Sequence, residues 1–255
     1  VIKNVKKNRS VKVAADQSLD LDIGNTFVKW RYGTNKGRIP TAELDRQLFL
    51  GCCGEQPPAR VRLASVAGQE QEVAISEWSL DSWGVTVEVA RTVAQAAGVS
   101  NSYEDPSRMG IDRWLAMIAG YNLHQSSCCI VDCGSAITID YVDDNGAHLG
   151  GYIMPGKRLM RQGLLSNTER ILVDNPNGGW GNCAPGIGTD ESVEHGVCLL
   201  LCALAERVRK DYRLVLGEQS QLIVAGGDGA EFIAAAGVGQ LRQDLVIEGL
   251  SYVLP

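Results

Sequence analysis

One pattern occurs twice in this chain and limits what it can fold into. The apolar stretch from Leu19 ends in Asp22-Ile23-Gly24-Asn25-Thr26 and resumes as Phe27-Val28-Lys29-Trp30. The stretch from Cys128 ends in Asp132-Cys133-Gly134-Ser135-Ala136 and resumes as the alternating Ile137-Thr138-Ile139. Gly-Asn and Gly-Ser pairs favour tight turns, and short apolar or alternating runs favour strands. Each copy therefore reads as strand, turn, strand, with an aspartate at the end of the first strand. The copies lie about 110 residues apart, roughly the size of one small domain and too long a period for a solenoid. The expectation is two similarly built domains whose hairpins face each other.

The rest of the chain alternates strands and helices. Val61–Ala67 and Val85–Val89 read as strands, with an amphipathic helix at Gln69–Trp83 between them. Residues 99–110 read as loop. A helix over Ile111–Leu123 carries apolar residues at helical spacing, with Asp112 near its start. After the second hairpin, His148–Met160 holds a strand that opens into a helix. Residues 174–189 form a long Pro/Gly/Asn loop, of a length often given to function or mobility. Thr189 or Asp190 is expected to cap a helix over Glu191–Val208, and Ser220–Ala225 reads as a further strand. The class is α/β. The expected division is a flexible extension at 1–16, one domain at 17–125 and a second at 126–255.

Composition removes several function classes. Hydrophobic residues make up 45% and charged residues 21%, which is ordinary for a folded domain. A formal charge of -6 argues against a dedicated nucleic-acid binder. It leaves an anionic small substrate open, since backbone N–H groups and local basic residues bind phosphate in acidic proteins. No apolar run reaches the roughly 18–20 residues needed to span a bilayer. The basic N-terminus (Lys3, Lys6, Lys7, Arg9, Lys12) is followed by no apolar segment, so it does not read as a secretory signal. The eight cysteines include the adjacent pairs Cys52-Cys53 and Cys128-Cys129, without zinc-type spacing. They read as reduced, small core residues, as in a cytoplasmic protein.

The common phosphate and hydrolase signatures are absent: no G-x-x-x-x-G-K-[ST], no G-x-G-x-x-G, no G-x-S-x-G, no H-E-x-x-H. His124, His148 and His195 lack metal spacing. What remains are the aspartate-bearing turns. A carboxylate at a strand end beside closely approaching N–H groups suits a Mg²⁺-nucleotide. Lys29 reads either as a phosphate partner or as a solvated strand lysine. Asp112, in Gly110-Ile111-Asp112-Arg113, reads either as a helix-dipole partner or as a general base for a substrate hydroxyl.

Taken in order, Asp22-Ile23-Gly24-Asn25-Thr26, Gly110-Ile111-Asp112-Arg113-Trp114, Asp132-Cys133-Gly134-Ser135-Ala136 and Gly150-Gly151-Tyr152-Ile153-Met154-Pro155-Gly156 resemble the signature of the type III pantothenate kinases. These belong to the actin/hexokinase/Hsp70-like ATPase superfamily. The resemblance runs from about Leu19 to the C-terminus. It implies two ribonuclease-H-like domains with the nucleotide site in the cleft between them. It also implies a homodimer whose active site is shared between subunits. Asp22 to Lys29, including Phe27 and Val28, would form the first phosphate loop, with Asp22 holding Mg²⁺ directly or through water. Ser135 would supply the hydroxyl of the second phosphate turn. Asp132 would match the ligand of a monovalent cation, K⁺ or NH₄⁺. Gly110, Ile111, Asp112 and Arg113 would line the pantothenate site with Asp112 as proton acceptor. Tyr103 would contact pantothenate, and Thr189 would reach it from the partner subunit. Three features depart from the family pattern. Ser stands at 135 where Thr is usual, the 174–189 loop is long, and residues 1–16 have no counterpart.

The activity implied is ATP-dependent phosphorylation of pantothenate to 4′-phosphopantothenate, the first step of coenzyme A synthesis. Asp112 would accept the hydroxyl proton during in-line attack on the γ-phosphate. Arg113 would either orient the substrate's carboxylate or support the Asp112 loop. Two other readings share the fold: a kinase of another small hydroxylated acceptor, and a nucleotide-binding accessory regulator of transcription. Retention of Asp22, Asp112 and Asp132 argues against the last, because a binding module needs no general base.

Overall fold

The computed structural model describes residues 17–166 and 182–255. The extension at 1–16 and residues 174–181 of the long loop lie outside the described residues. The first half opens with β1 (Ser18–Ile23), β2 (Phe27–Tyr32) and β3 (Asn35–Pro40) as an antiparallel meander. Then come α1 (Arg46–Gly51), β4 (Arg60–Ser65), α2 (Gln69–Trp83) and β5 (Val87–Val89). Strands β4 and β5 add in parallel on the far side of β1, giving the order β3-β2-β1-β4-β5. A small ribbon of β6 (Gln95–Ala96) and β7 (Val99–Ser100) leads to α3 (Ile111–His124).

The second half repeats the plan. β8 (Cys128–Cys133), β9 (Ala136–Val142) and β10 (His148–Pro155) form a meander, followed by α4 (Lys157–Ser166) and α5 (Thr189–Leu216). Then β11 (Gln221–Ala225), α6 (Gly229–Ala236), β12 (Gln240–Leu241) and α7 (Leu245–Val253) complete the chain. The order is β10-β9-β8-β11-β12, again with the last two strands parallel to the first. The two sheets thus have the same topology, as the duplicated hairpin predicts. In each, the strand that ends in the aspartate is central, with a neighbour on both sides. That position explains its composition, since every residue of β1 is buried and only Asp132 of β8 is partly open.

Helix α3 sits between the sheets. It is buried from Arg113 through Tyr121, on every face, as a helix packed on all sides must be. Its core cluster takes Cys128, Ile130, Val142 and Ile223 from the second sheet and Leu245, Val246 and Leu250 from α7. Helix α7 in turn returns the chain end to the first sheet. Arg62 donates to the carbonyl of Leu254 at 3.0 Å, and Arg60 to that of Pro255 at 2.8 Å. Arg62 also meets Asp20 at 2.6 Å, a buried pair on neighbouring parallel strands. Among the described residues, no helix is long and apolar enough to cross a membrane.

Several elements differ from the sequence expectation. Helix α5 runs to Leu216, past the expected end at Val208. The charged segment after Val208 stays helical because Arg207 pairs with Asp211 one turn on and Tyr212 is buried. Gly188 holds the N-cap position of this helix, one residue before the expected Thr189 or Asp190, which lie in its first turn. Strand β3 and helices α1, α6 and α7 are short elements outside the sequence expectation.

Candidate active site

The repeated turns meet. Gly24 N–H donates to the carbonyl of Phe27, and Gly134 N–H to that of Ala136, each at 3.0 Å, closing both hairpins. Across the gap between the sheets, Thr26 Oγ1 and Ser135 Oγ share a hydrogen bond of 2.7 Å. Around this contact lies a cleft of about 460 Å³. Asp22, Gly24, Asn25, Thr26, Phe27 and Lys29 line it from the first hairpin, and Asp132, Gly134 and Ser135 from the second. Asp112 and Arg113 enter from the start of α3. Three elements far apart in sequence therefore bring Asp22, Asp112 and Asp132 to one cavity.

Strand register explains how the carboxylates are held. Asp22 pairs across the ladder with Lys29, whose Nζ lies 4.0 Å from Asp22 Oδ2. Asp132 pairs across its ladder with Thr138. Burial pushes the Asp22 carboxyl up to about 7; Lys29 opposes this, and Asp112 and Asp132 add to it. Burial also raises Asp132, again against Lys29 and helped by Asp112. Asp112 is raised by burial too, against a hydrogen bond from the Arg113 N–H at 2.8 Å and the Arg113 charge. Desolvation and neighbouring carboxylates thus favour the protonated forms of these aspartates, and a bound cation would favour the ionised ones. Their donor atoms do not converge on a single point: among the described residues, no three of them come within 4.8 Å of one another. This suits Mg²⁺, which takes one or two carboxylates and keeps its remaining places for water and phosphate oxygens.

Two glycines are dictated by these carboxylates. A Cβ on Gly226, whose φ is +85°, would stand 2.5 Å from Asp132 Oδ1 and 2.4 Å from the Cys133 backbone. A Cβ on Gly110 would stand 2.5 Å from Asp112 Oδ1. Glycine at these points is what lets each carboxylate lie against the backbone.

Arg113 is already committed within the chain. Its Nε and Nη2 grip Asp140 at 3.0 and 2.5 Å, and Nη1 donates to the Tyr103 hydroxyl at 2.9 Å. His148 Nε2 lies 3.1 Å from the same Asp140, and its Nδ1 lies 2.9 Å from Ser102 Oγ. Tyr103 thus sits one side chain back from the cleft, fixed through Arg113. Ile23 and Val28 point into the core of the first sheet, on the strand faces opposite the cleft, and Ile111 joins the α3 core. Gly110 flanks the cleft without lining it. Thr189 opens α5 and lines a different cavity, of about 830 Å³, with Ile187, Val193 and Leu200. Within one chain it does not reach the aspartates.

Residues outside the sequence expectation also line the cleft: Arg38, Thr138, Arg158, Gly227 and Asp228. Arg158 Nη2 lies 3.2 Å from Thr26 Oγ1, and Arg38 stacks on the Phe27 ring at 4.8 Å. The Gly226-Gly227-Asp228 turn is the one with a readable signal, a third glycine-aspartate turn at a strand end. Arg158 and Arg38 carry none, being ordinary surface cations until the sheets fold together.

A family model described as type III pantothenate kinase matches residues 18–211. Curated relatives named type III pantothenate kinase include one from Pseudomonas paraeruginosa, 37% identical over 248 residues, covering 93% of this chain and 98% of the relative. Another, from Pseudomonas savastanoi pv. phaseolicola, is 34% identical over 245 residues with the same coverage. Among solved structures, a Campylobacter jejuni protein named as a Baf family transcriptional activator matches with a TM-score of 0.59 at 21% identity, over 92% of this chain and 96% of that one. A Sinorhizobium meliloti protein named as a 2-dehydro-3-deoxygalactonokinase matches with a TM-score of 0.53 at 11% identity, over 93% and 95%. At such identities the two structures speak to the fold alone. They agree with the paired sheets of ribonuclease-H-like topology described above.

Proposed function

Since this chain belongs to the type III pantothenate kinase family, whose members phosphorylate pantothenate with ATP on the way to coenzyme A, we propose that the aspartate cleft carries that reaction and divides it among named residues. The observation that supports this division is the meeting of Asp22, Asp112 and Asp132 around the Thr26–Ser135 contact.

The two hairpin turns hold the ATP phosphates, through the N–H groups of the Gly24 to Thr26 turn and the hydroxyls of Thr26 and Ser135. Lys29 and Arg158 add positive charge from either side. Asp22 holds Mg²⁺, directly or through water, and the metal supplies charge neutralisation on the phosphates when bound. Asp132 holds a monovalent cation, K⁺ or NH₄⁺. Asp112 accepts the proton of pantothenate's primary hydroxyl as that oxygen attacks the γ-phosphorus in line. A carboxylate whose pKa is raised by burial is a stronger base once ionised, which suits that task. Phosphoryl transfer otherwise demands positioning and electrostatics, which the fixed turns provide. Arg113 is a positioning residue in this scheme. Through Asp140 and Tyr103 it fixes the wall against which pantothenate lies, and its backbone N–H orients Asp112.

The active form in this scheme is a homodimer. Ile187 is 96% exposed and Leu200 62% exposed, on the face that carries Thr189. A second copy covering this apolar face would exclude it from water and carry Thr189 towards the neighbouring site. A cytoplasmic location, without membrane or nucleic-acid partners, fits the charge and composition.

The test is ADP release from Mg-ATP with and without pantothenate, in K⁺ and in Na⁺-only buffer. Pantothenate-dependent release that K⁺ stimulates is expected. Release indifferent to pantothenate would overturn this reading and leave an ATPase, with water as acceptor, or a kinase of another acceptor. K⁺ stimulation that persists unchanged in Asp132→Ala would remove the cation from Asp132.

A further inference from the structure

Away from the cleft, the described residues bring Cys183, Cys198 and Cys202 together, with all three sulfurs within 4.8 Å of one another. It is the one group of three or more His, Cys, Asp or Glu ligand atoms so placed among the described residues. Cys198 and Cys202 stand one turn apart on α5, where side chains four residues apart share a face. Cys183 comes from the segment leading into that helix, and its Sγ lies 3.3 Å from Cys198 Sγ.

The segment is held in this register by other bonds. His195 Nδ1 bonds to the carbonyl of Ala184 at 2.7 Å, and Ile187 N–H donates to Glu191 Oε2 at 3.0 Å. Both bonds run from α5 to residues just after Cys183. Core filling does not account for the arrangement: Cys198 is buried, but Cys202 is only half-buried and Cys183 is exposed. The remaining five cysteines differ, being buried in the apolar cores of the two sheets and of α3.

Three thiols from a helix turn and an adjoining loop, open to solvent on one side, are the donor set of a thiophilic cation. Zn²⁺ binds thiolate sulfur at about 2.3 Å in tetrahedral array, which sets the sulfurs about 3.8 Å apart. The cluster's sulfurs need shift by only about an ångström or less to reach that spacing. We propose that Cys183, Cys198 and Cys202 form a binding site for a soft divalent cation, with Zn²⁺ as its type and solvent as the fourth ligand. The bound ion clamps residues 182–188 onto α5. This site is independent of the aspartate cleft and of the reaction assigned to it.

The experiment uses the full reduced chain, with Co²⁺ as a spectroscopic probe and Zn²⁺ as competitor. One equivalent of Co²⁺ is expected to produce thiolate-to-cobalt charge-transfer absorption and the visible bands of a tetrahedral site. One equivalent of Zn²⁺ is expected to bleach both. C183S, which alters an exposed residue and leaves the core intact, is expected to lose the charge-transfer intensity, and so is C202S. D22N is expected to keep it, which separates this site from the cleft. Absence of thiolate charge transfer at stoichiometric Co²⁺ would overturn the proposal, and so would its survival in C183S. When oxidised glutathione is added as the two-electron oxidant, a Cys183–Cys198 disulfide that forms equally fast with and without Zn²⁺ would also overturn it, by showing that the thiols are not held by the ion.

Discussion

Thr26 and Ser135 share a 2.7 Å hydrogen bond although 109 residues separate them in the chain. Each sits in the turn of one copy of the repeated hairpin, so the bond joins the two copies at their corresponding points. In the proposed scheme these two hydroxyls would turn from each other to the ATP phosphates.

Removing one of these hydroxyls should act on nucleotide binding before catalysis. A net hydrogen bond is worth roughly 0.5–1.5 kcal/mol, so Ser135→Ala is expected to raise the KM for ATP by about 2–10-fold. Ser135→Thr restores the hydroxyl and should restore the KM. Steady-state kinetics on the two variants and on Thr26→Ala check this. The double alanine variant should cost less than the sum of the singles, because the two share one contact.

Asp112→Asn keeps the shape and removes the base. Turnover should fall by about 10²–10⁴-fold, with ATP binding little changed. Single-turnover kinetics together with nucleotide titration separate the two effects. Near-normal turnover would take Asp112 out of the proton-accepting role.

Gly110→Ala tests the same carboxylate without touching it. The new methyl would begin 2.5 Å from Asp112 Oδ1, while Gly110 itself has an ordinary φ of -56°. The backbone accepts alanine, and the carboxylate must swing away. Turnover is expected to drop by roughly 10–100-fold, since a displacement near 1 Å can cost that much. The melting temperature should move little. A variant that loses stability and activity together would point to a collapsed loop instead.

The cleft should also give the metal-free, nucleotide-free chain a distinctive pH response. Burial holds the Asp22 carboxyl near 7 against an ordinary 3.8. The folded chain therefore keeps a proton that the unfolded chain has already lost. The resulting stabilisation is complete below about pH 4 and is lost as pH rises through about 7. Asp22→Asn removes this dependence, so its melting temperature should fall less between pH 4 and pH 8. At the upper end the variant should be the more stable protein. Thermal melts of both proteins in chelator-treated buffer across that range decide it.

Asp140 binds Arg113 and His148 inside the protein, with its side chain 2% exposed. Asp140→Ala would leave the guanidinium buried and unpaired. A loss of roughly 3–5 kcal/mol of stability is expected, as for other buried pairs broken from one side. Urea unfolding measures it. The Tyr103 hydroxyl loses its fixed partner at the same time, so the KM for pantothenate should rise in whatever protein remains folded.

The fold and much of the cleft were legible in the sequence because they depend on short-range chemistry. An aspartate at a strand end followed by Gly-Asn or Gly-Ser declares a turn whichever domain it sits in. The repetition of that turn at Asp22 and Asp132 declares two like sheets, and the helix from Ile111 shows its apolar spacing openly. Resemblance to a known family then named Asp112 among several acidic residues that local pattern alone left equivalent.

Other features depended on long-range contacts that no local pattern encodes. Arg158 becomes part of the cleft only because α4 lies beside Thr26, 132 residues earlier in the chain. Arg113 turns back onto its own chain only because β9 places Asp140 against it. Helix α7 is short and apolar, and only its packing of Leu245, Val246 and Leu250 against α3 sets its place between the sheets. Cys183 looks like one more cysteine in a polar loop until the turn into α5 lays it against Cys198. Turns and single-element periodicity are written in neighbouring residues. Which side chains share a cavity is decided by packing between elements, and only the folded chain brings those partners together.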